Sequence, residues 1–355
     1  PGNFLLFRYT FQRLVAGKDI YYPPPGEMTG FLYSPTFALL FAPFAVWPVP
    51  VGLLFWDTVN ALTLYFGLTR LVPPRAARVA LAIVFLDLLR SLQNSQSNAL
   101  VAGLILVAFI CLERRAEGQA AAAVTVGAFI KIFPLAAGVL GLLGPRRWRF
   151  FSWSLGLGVA LAVAPLLVLS PAAFAHTYRQ WWAILERDSG LLGQSVMLIL
   201  ADWFGLSVPN WTVQLGGTLV LLAPLVARRL SWREAAYRLR FLCSLLIFLV
   251  IFNHQAESAS FVIATSGVAV WYVTTSRAWW RTGLVALTLL GVSAPELFFV
   301  PYRVYHDVVW AHALNAFPCL LVWLAIQVEL WRWPGAAQPD ATGADPTVVD
   351  MFPRA

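Results

Sequence analysis

The chain has 355 residues, of which 59% are hydrophobic and 12% charged, with a mean hydropathy of +0.71. Soluble domains carry about a quarter charged residues, so this balance excludes an ordinary soluble enzyme and points to lipid as the surrounding solvent. The net charge of +8 sits in short arginine blocks between apolar runs, a membrane-topology pattern rather than a nucleic-acid surface.

Residues 4–16 (FLLFRYTFQRLVA) read as an amphipathic helix lying at an interface and ended by Gly17. The stretch Gly17–Phe44 then places Asp19 and Glu27 around Tyr21, Tyr22 and the prolines Pro23, Pro24 and Pro25. Consecutive prolines stiffen the backbone and block helix, so this is a shaped loop. Thr36–Trp47 is apolar but short and bounded by prolines, which predicts a half-helix entering the membrane.

Val51–Thr69, Val79–Ser91 and Ala99–Leu112 are expected to cross in alternation. Ala120–Ile130 and Leu135–Leu143 are each too short for a hydrocarbon core of about 30 Å. Joined by Lys131-Ile132-Phe133-Pro134, they are expected to form a short hairpin with its tip in or near the outer half of the membrane. Phe150–Leu169 crosses again, and residues 171–210 carry YRQWWAILERDSG, expected as a helix on the outer surface. Trp211–Val226, Phe241–Phe252, Ser258–Val273, Gly283–Ser293 and Val308–Trp331 complete the crossings. The Pro/Ala/Gly/Asp-rich segment 334–355 is expected to be a disordered cytoplasmic tail.

The fold class is therefore an all-α polytopic membrane protein with about 11 spans in one domain, 1–333. Its first outer loop is 1–35 and its outer interfacial segment 171–210. Arg70/Arg75/Arg78, Arg114/Arg115, Arg146/Arg147/Arg149, Arg228/Arg229/Arg233, Arg277/Arg281 and Arg332 are all expected on the cytoplasmic side. That leaves residues 1–35 outside, and a chain starting outside is expected to have a further span before Pro1. Cys111, Cys243 and Cys319 lie in apolar segments and read as core residues.

Polar side chains in or beside spans are costly and are the first candidates for function. Gln93-Asn94-Ser95-Gln96-Ser97-Asn98 forms an unbroken polar turn suited to hydrogen bonding a polyhydroxyl ligand. Lys131 stands alone in AVTVGAFIKIFPLAAGV, where it can snorkel or serve as a cation for a phosphate at the membrane boundary. Asn253–Ser258 places His254 three residues from Glu257, and Pro301–Asp307 contains Arg303. A phosphate-binding Walker loop, a dinucleotide glycine fingerprint and HExxH do not occur in the sequence. No acidic cluster has metal-ligand spacing, so neither a metal nor another cofactor is expected. Acids in an outer loop, a lysine and amide-rich turns fit an enzyme drawing a lipid-linked phosphate substrate from the membrane. A transporter or flippase of lipid-linked or polar solutes is the alternative, though it would also need polar residues at the inner ends.

Gly17, Asp19 and Tyr21, followed by Tyr33-Ser34-Pro35 and Ala42-Pro43, resemble the first outer loop of glycosyltransferase family 87. Gln96 and Asn98 resemble that family's Gly-Gln-x-Asn segment, with Ser95 in place of its glycine. Lys131 and Pro134 resemble its Lys-x-x-Pro segment. The resemblance, spanning roughly 3–270, implies a GT-C-type helical bundle. It implies transfer of a hexose, expected to be mannose, from a polyprenyl-phosphate donor to a glycan, lipid or protein acceptor on the outer face of the cytoplasmic membrane. Lys131 and Arg303 would hold the donor phosphate, Gln96 and Asn98 the sugar or loop, and His254 donor or acceptor, with Tyr33 and Glu257 alongside. An Asp-Phe pair commonly opens the family's loop, whereas this chain has Asn3-Phe4. Since an amide cannot act as a general base, Asp19 or else Glu27 takes that role, or the chain is a non-catalytic relative.

Overall fold

The computed structural model describes residues 2–22, 30–297 and 301–334, and among these the backbone forms helices, turns and loops without strand. Glu27 and all but the first residue of the expected tail lie outside the described residues. In chain order the helices begin with α1 (Gly2–Val15), α2 (Pro35–Leu40), α3 (Ala42–Ala45), α4 (Val49–Leu71), α5 (Pro74–Gln93), α6 (Asn98–Glu113) and α7 (Glu117–Ile130). A 3-10 turn, Phe133–Ala137, leads to α8 (Gly138–Leu142), α9 (Arg147–Val163), α10 (Pro171–Asp188), α11 (Val196–Phe204) and α12 (Asn210–Ala227). The rest are α13 (Ala235–Ile251), α14 (Phe261–Val273), α15 (Trp279–Thr288), α16 (Ala294–Leu297), α17 (Tyr302–Val304) and α18 (Ala316–Trp331). Wide π turns occupy Leu289–Ser293 and Tyr305–Trp310.

Among the described residues, three helical stretches are long and apolar enough to cross a membrane alone: Val49–Leu71, Arg147–Leu167 and Asn210–Ala227. Asn98–Glu113, Phe133–Leu142, Ser258–Val273 and Ala316–Trp331 are shorter apolar helices. The expected crossing Val308–Trp331 is not one continuous helix: a π turn and a left-handed residue, Ala313 at φ 48°, precede α18. On α9 and the turn after it, Trp153, Leu155, Val159 and Leu167 are exposed. An apolar helix with its large side chains turned outward is satisfied by lipid tails, not by water. The chain is built as a helical membrane protein.

Within the stretch expected to form one domain, the chain gathers into two compact units. The first comprises Pro1–Gly67 with Ser91–Ser189, the second Leu68–Arg90 with Gly190–Ala355. In the first unit, α1 ends where Gly17 adopts φ +64°, a conformation that costs glycine little. Phe4, Phe7, Thr10 and Leu14 repeat at helical spacing along one buried face of α1. Phe7 meets Tyr33, Phe37 and Phe41 edge-on at ring-centroid distances of 5.1, 5.0 and 5.3 Å. The helix expected to float at the interface is thus docked on protein by an aromatic cluster that also contains Phe31 and Trp56.

Ser34 opens α2 by accepting the Phe37 amide at 3.1 Å, and its hydroxyl donates to the Phe129 carbonyl of α7. The α4–α6 crossing is close because Gly103 has no side chain: an added Cβ would stand 2.6 Å from the Thr63 carbonyl carbon and 2.7 Å from Leu64 N. Backbone cannot yield as a side-chain tip does. Gly103→Val is expected to split α4 from α6 and lower the melting temperature of purified protein by about 1–4 °C, an estimate from the roughly 1–3 kcal/mol cost of overpacking. A melting curve matching that of the unsubstituted chain would refute the close crossing.

In the second unit, α13 and α14 are buried almost all round, and Gly267 permits their contact beside the Cys243 carbonyl. Arg90, on α5, is fully buried. It pairs with Asp87 at 3.2 Å and donates to the Val292 and Ser293 carbonyls of the first π turn, both at 2.9 Å. The Ser293 hydroxyl donates to the other Asp87 oxygen at 2.7 Å, closing the ring of contacts. Cys111, Cys243 and Cys319 are buried free thiols.

Candidate active site

The site in the first unit is built where three separated polar stretches converge. Ser91–Asn98 turns from α5 into α6, and α4 holds that turn from beneath. Trp56 donates its indole N–H to the Ser95 carbonyl at 2.9 Å. Asn60, fully buried, accepts the Leu100 amide at 3.0 Å, so a side chain of α4 satisfies an open donor in the first turn of α6. Ser95 itself lies at φ 51°. Glycine enters this left-handed conformation without the strain that a Cβ brings. Ser95→Gly is expected to raise stability by about 1 kcal/mol, read as a melting-temperature increase of about 1 °C. A decrease would show that the turn does not hold this conformation.

Lys131 follows the last residue of α7. Pro134 stops the helix from continuing, and Gly127 lets that proline fold back, since a Cβ there would stand 2.9 Å from Pro134 Cβ. Lys131 is left extended, at φ −139° and ψ 140°. Its ammonium donates to Asn98 Oδ1 at 2.7 Å and to Gln96 Oε1 at 3.4 Å. Tyr33, from the loop before α2, donates its hydroxyl to the same Gln96 oxygen at 3.3 Å. Its ring lies 5.7 Å from the ammonium. Gln96 and Asn98 are buried and Lys131 half-buried, so the cation is fixed by amide dipoles at the edge of the packed interior.

The loop bearing Asp19 is fastened to this centre. Tyr21 donates its hydroxyl to the Tyr33 carbonyl at 3.1 Å. Burial pushes the Tyr21 phenol well above its ordinary range, with Tyr178 and Asp19 adding to the effect, so it stays a neutral donor. Asp19 is exposed; its carboxylate accepts the Tyr21 amide and the Gln180 side-chain amide, both at 2.8 Å. Helix α10 supplies further ties: Trp181 donates to the Leu32 carbonyl at 3.2 Å, and the Tyr178 hydroxyl lies 3.1 Å from that of Thr36. Burial also raises the Tyr178 phenol, against the opposing hydrogen bond from Thr36.

The structure therefore brings together Tyr33, Gln96, Asn98 and Lys131, with Asp19 joined to them through Tyr21. Asn3 sits in the first turn of α1 and donates its amide to the Asn94 carbonyl at 2.8 Å, a bond that an ionised carboxylate could not donate. His254, Glu257 and Arg303 belong to the second unit. There His254 Nδ1 lies 3.1 Å from the Gln214 amide nitrogen and its carbonyl accepts the Gly193 amide. The Glu257 amide faces the Ser260 hydroxyl at 3.4 Å, and Arg303 is exposed on α17. Sequence reasoning missed Tyr178, Gln180 and Trp181 as supports of the loop. Their only signal was polar and amphipathic residues on an otherwise interfacial helix.

An apolar helical bundle carrying a fixed cation among amides and tyrosines is the architecture of a membrane protein. Residues 31–252 match glycosyltransferase family 87, and the chain belongs to that family. That stretch contains Tyr33, Gln96, Asn98 and Lys131. A search of curated proteins returned no match.

Proposed function

We propose that the protein transfers a hexose, mannose or a close relative, from a polyprenyl-phosphate donor to a glycan, lipid or protein acceptor on the outer face of the cytoplasmic membrane. Family membership supports glycosyl transfer, and one observation carries the finer reading: the Lys131 ammonium is held 2.7 Å from Asn98 where the three family-like stretches meet.

In such a transfer the acceptor hydroxyl attacks the anomeric carbon, the bond from that carbon to the phosphate oxygen breaks, and the phosphate leaves with the electron pair. Lys131 would meet the negative charge growing on that oxygen, since preorganised cations act where charge develops. Gln96 and Asn98 hold the ammonium and offer amide hydrogen bonds to sugar hydroxyls, with Tyr33 closing one side. Asp19, with Glu27 as the second choice, would take the acceptor's proton. In the second unit, His254, Glu257 and Arg303 are proposed to serve donor and acceptor groups. A GT-C-type bundle with residues 1–35 outside is the architecture this reading requires.

The test is to incubate purified protein with polyprenyl-phosphate [14C]mannose and membrane acceptors, then follow label from the donor into an acceptor fraction. Movement of intact donor across a vesicle without transfer would favour a flippase instead.

A further inference from the structure

A second polar constellation lies in the other unit, at the ends of α14, α15 and α18. An open depression of about 670 Å³ is lined there by Arg240, Arg281, Arg332, Glu329, Ser276 and Trp280, among others. Its volume suits a small molecule or a headgroup. Glu329 bridges the two inner arginines, with one carboxylate oxygen 2.9 Å from Arg240 and the other 2.9 Å from Arg281. Trp271 pins the same carboxylate by donating its indole N–H at 3.0 Å. Arg281 is further fixed by donating to the Ser276 hydroxyl at 2.8 Å and stacks on Trp280 at 4.7 Å.

The charge balance is the telling feature. Two guanidiniums, each no more than 15% exposed at the side chain, face one carboxylate. Among the described residues Arg281 Nε is a buried donor without an acceptor, and Arg332 adds a further positive charge at the exposed rim. Arg228 and Glu234, hooked to Trp331 and Trp333, add one charge of each sign and leave the balance unchanged. Excess positive charge out of water is costly unless an anion meets it. Guanidinium forks match phosphate oxygens in geometry and charge.

We propose that this pocket binds the phosphate of an anionic lipid headgroup. The lipid source follows from the surroundings: Trp279 and Trp331, the chain neighbours of the lining residues Trp280 and Arg332, are exposed at 87% and 45% at helix ends. Exposed indoles at such places sit at the headgroup level of a bilayer. The bound phosphate would tie together α13, α15 and α18, which supply Arg240, Arg281 and Arg332 with Glu329.

The test uses the full chain, purified in detergent and challenged with phosphatidylglycerol, phosphatidylcholine or inorganic phosphate. Native mass spectrometry should show phosphatidylglycerol retained in preference to phosphatidylcholine, with a matching rise in melting temperature. Arg281→Gln should weaken retention about tenfold or more, the size expected for losing a charge-assisted contact. Arg332→Gln, altered only at the exposed rim, should weaken it less and keeps the test decisive if the first variant does not fold. Equal retention of the two lipids, or undiminished retention in the folded variants, would overturn the proposal. Stabilisation by inorganic phosphate equal to that by phosphatidylglycerol would overturn the headgroup and leave a soluble phosphate as the ligand.

Discussion

Lys131→Gln is expected to lower the rate of sugar transfer by about 10²- to 10³-fold, the usual loss when one preorganised charge-stabilising donor is removed. Glutamine can still hydrogen-bond Asn98 and Gln96, so the hairpin should keep its shape while the positive charge disappears. The fall should therefore appear in kcat more than in KM, with the melting temperature little changed. Tyr33→Phe removes only the hydroxyl contact to Gln96 and should cost less than about tenfold. Radiolabel transfer measured on folded protein decides between them. Equal losses in the two variants would mean that Lys131 acts as a packing element and not as a phosphate-stabilising cation.

The second large effect concerns the proton acceptor. Asp19→Asn should slow transfer by about 10²- to 10⁴-fold, the span seen when a general base is lost. The amide oxygen can still accept from Tyr21, so the loop should stay in place and the loss report basicity rather than folding. Glu27→Gln should have the smaller effect. Unchanged transfer in the double variant would remove both carboxylates and return attention to α1. There the side-chain amide of Asn3 donates to the Asn94 carbonyl.

Much of this arrangement was legible in the sequence because the relevant signals are local. Gly17 ends α1, Pro134 ends α7 ahead of a lone lysine, and an unbroken polar turn separates two apolar helices. Long-range partners were not legible. That Gln96 would receive both Tyr33 and Lys131 depends on how α2, α6 and α7 pack, and nothing in the spacing of those residues specifies it. The docking of α1 was missed for a related reason. The amphipathic pattern that buries a face in lipid is the same one that buries it against phenylalanines. The broken approach to α18 was hidden because Ala313 is an unremarkable residue that only the folded backbone drives to positive φ.

The wide turn at Leu289–Ser293 has a consequence for how the sequence can vary. A π turn adds a residue to the helix and leaves carbonyls off the regular ladder, which in an apolar setting demand outside donors. Arg90 supplies them at Val292 and Ser293 from a helix some 200 positions earlier, while Asp87 carries the balancing charge. The extra residue and the buried arginine thus form one unit of inheritance. A relative that deletes one position in 289–293, restoring a regular helix, should also carry an apolar residue at position 90 and no acid at 87.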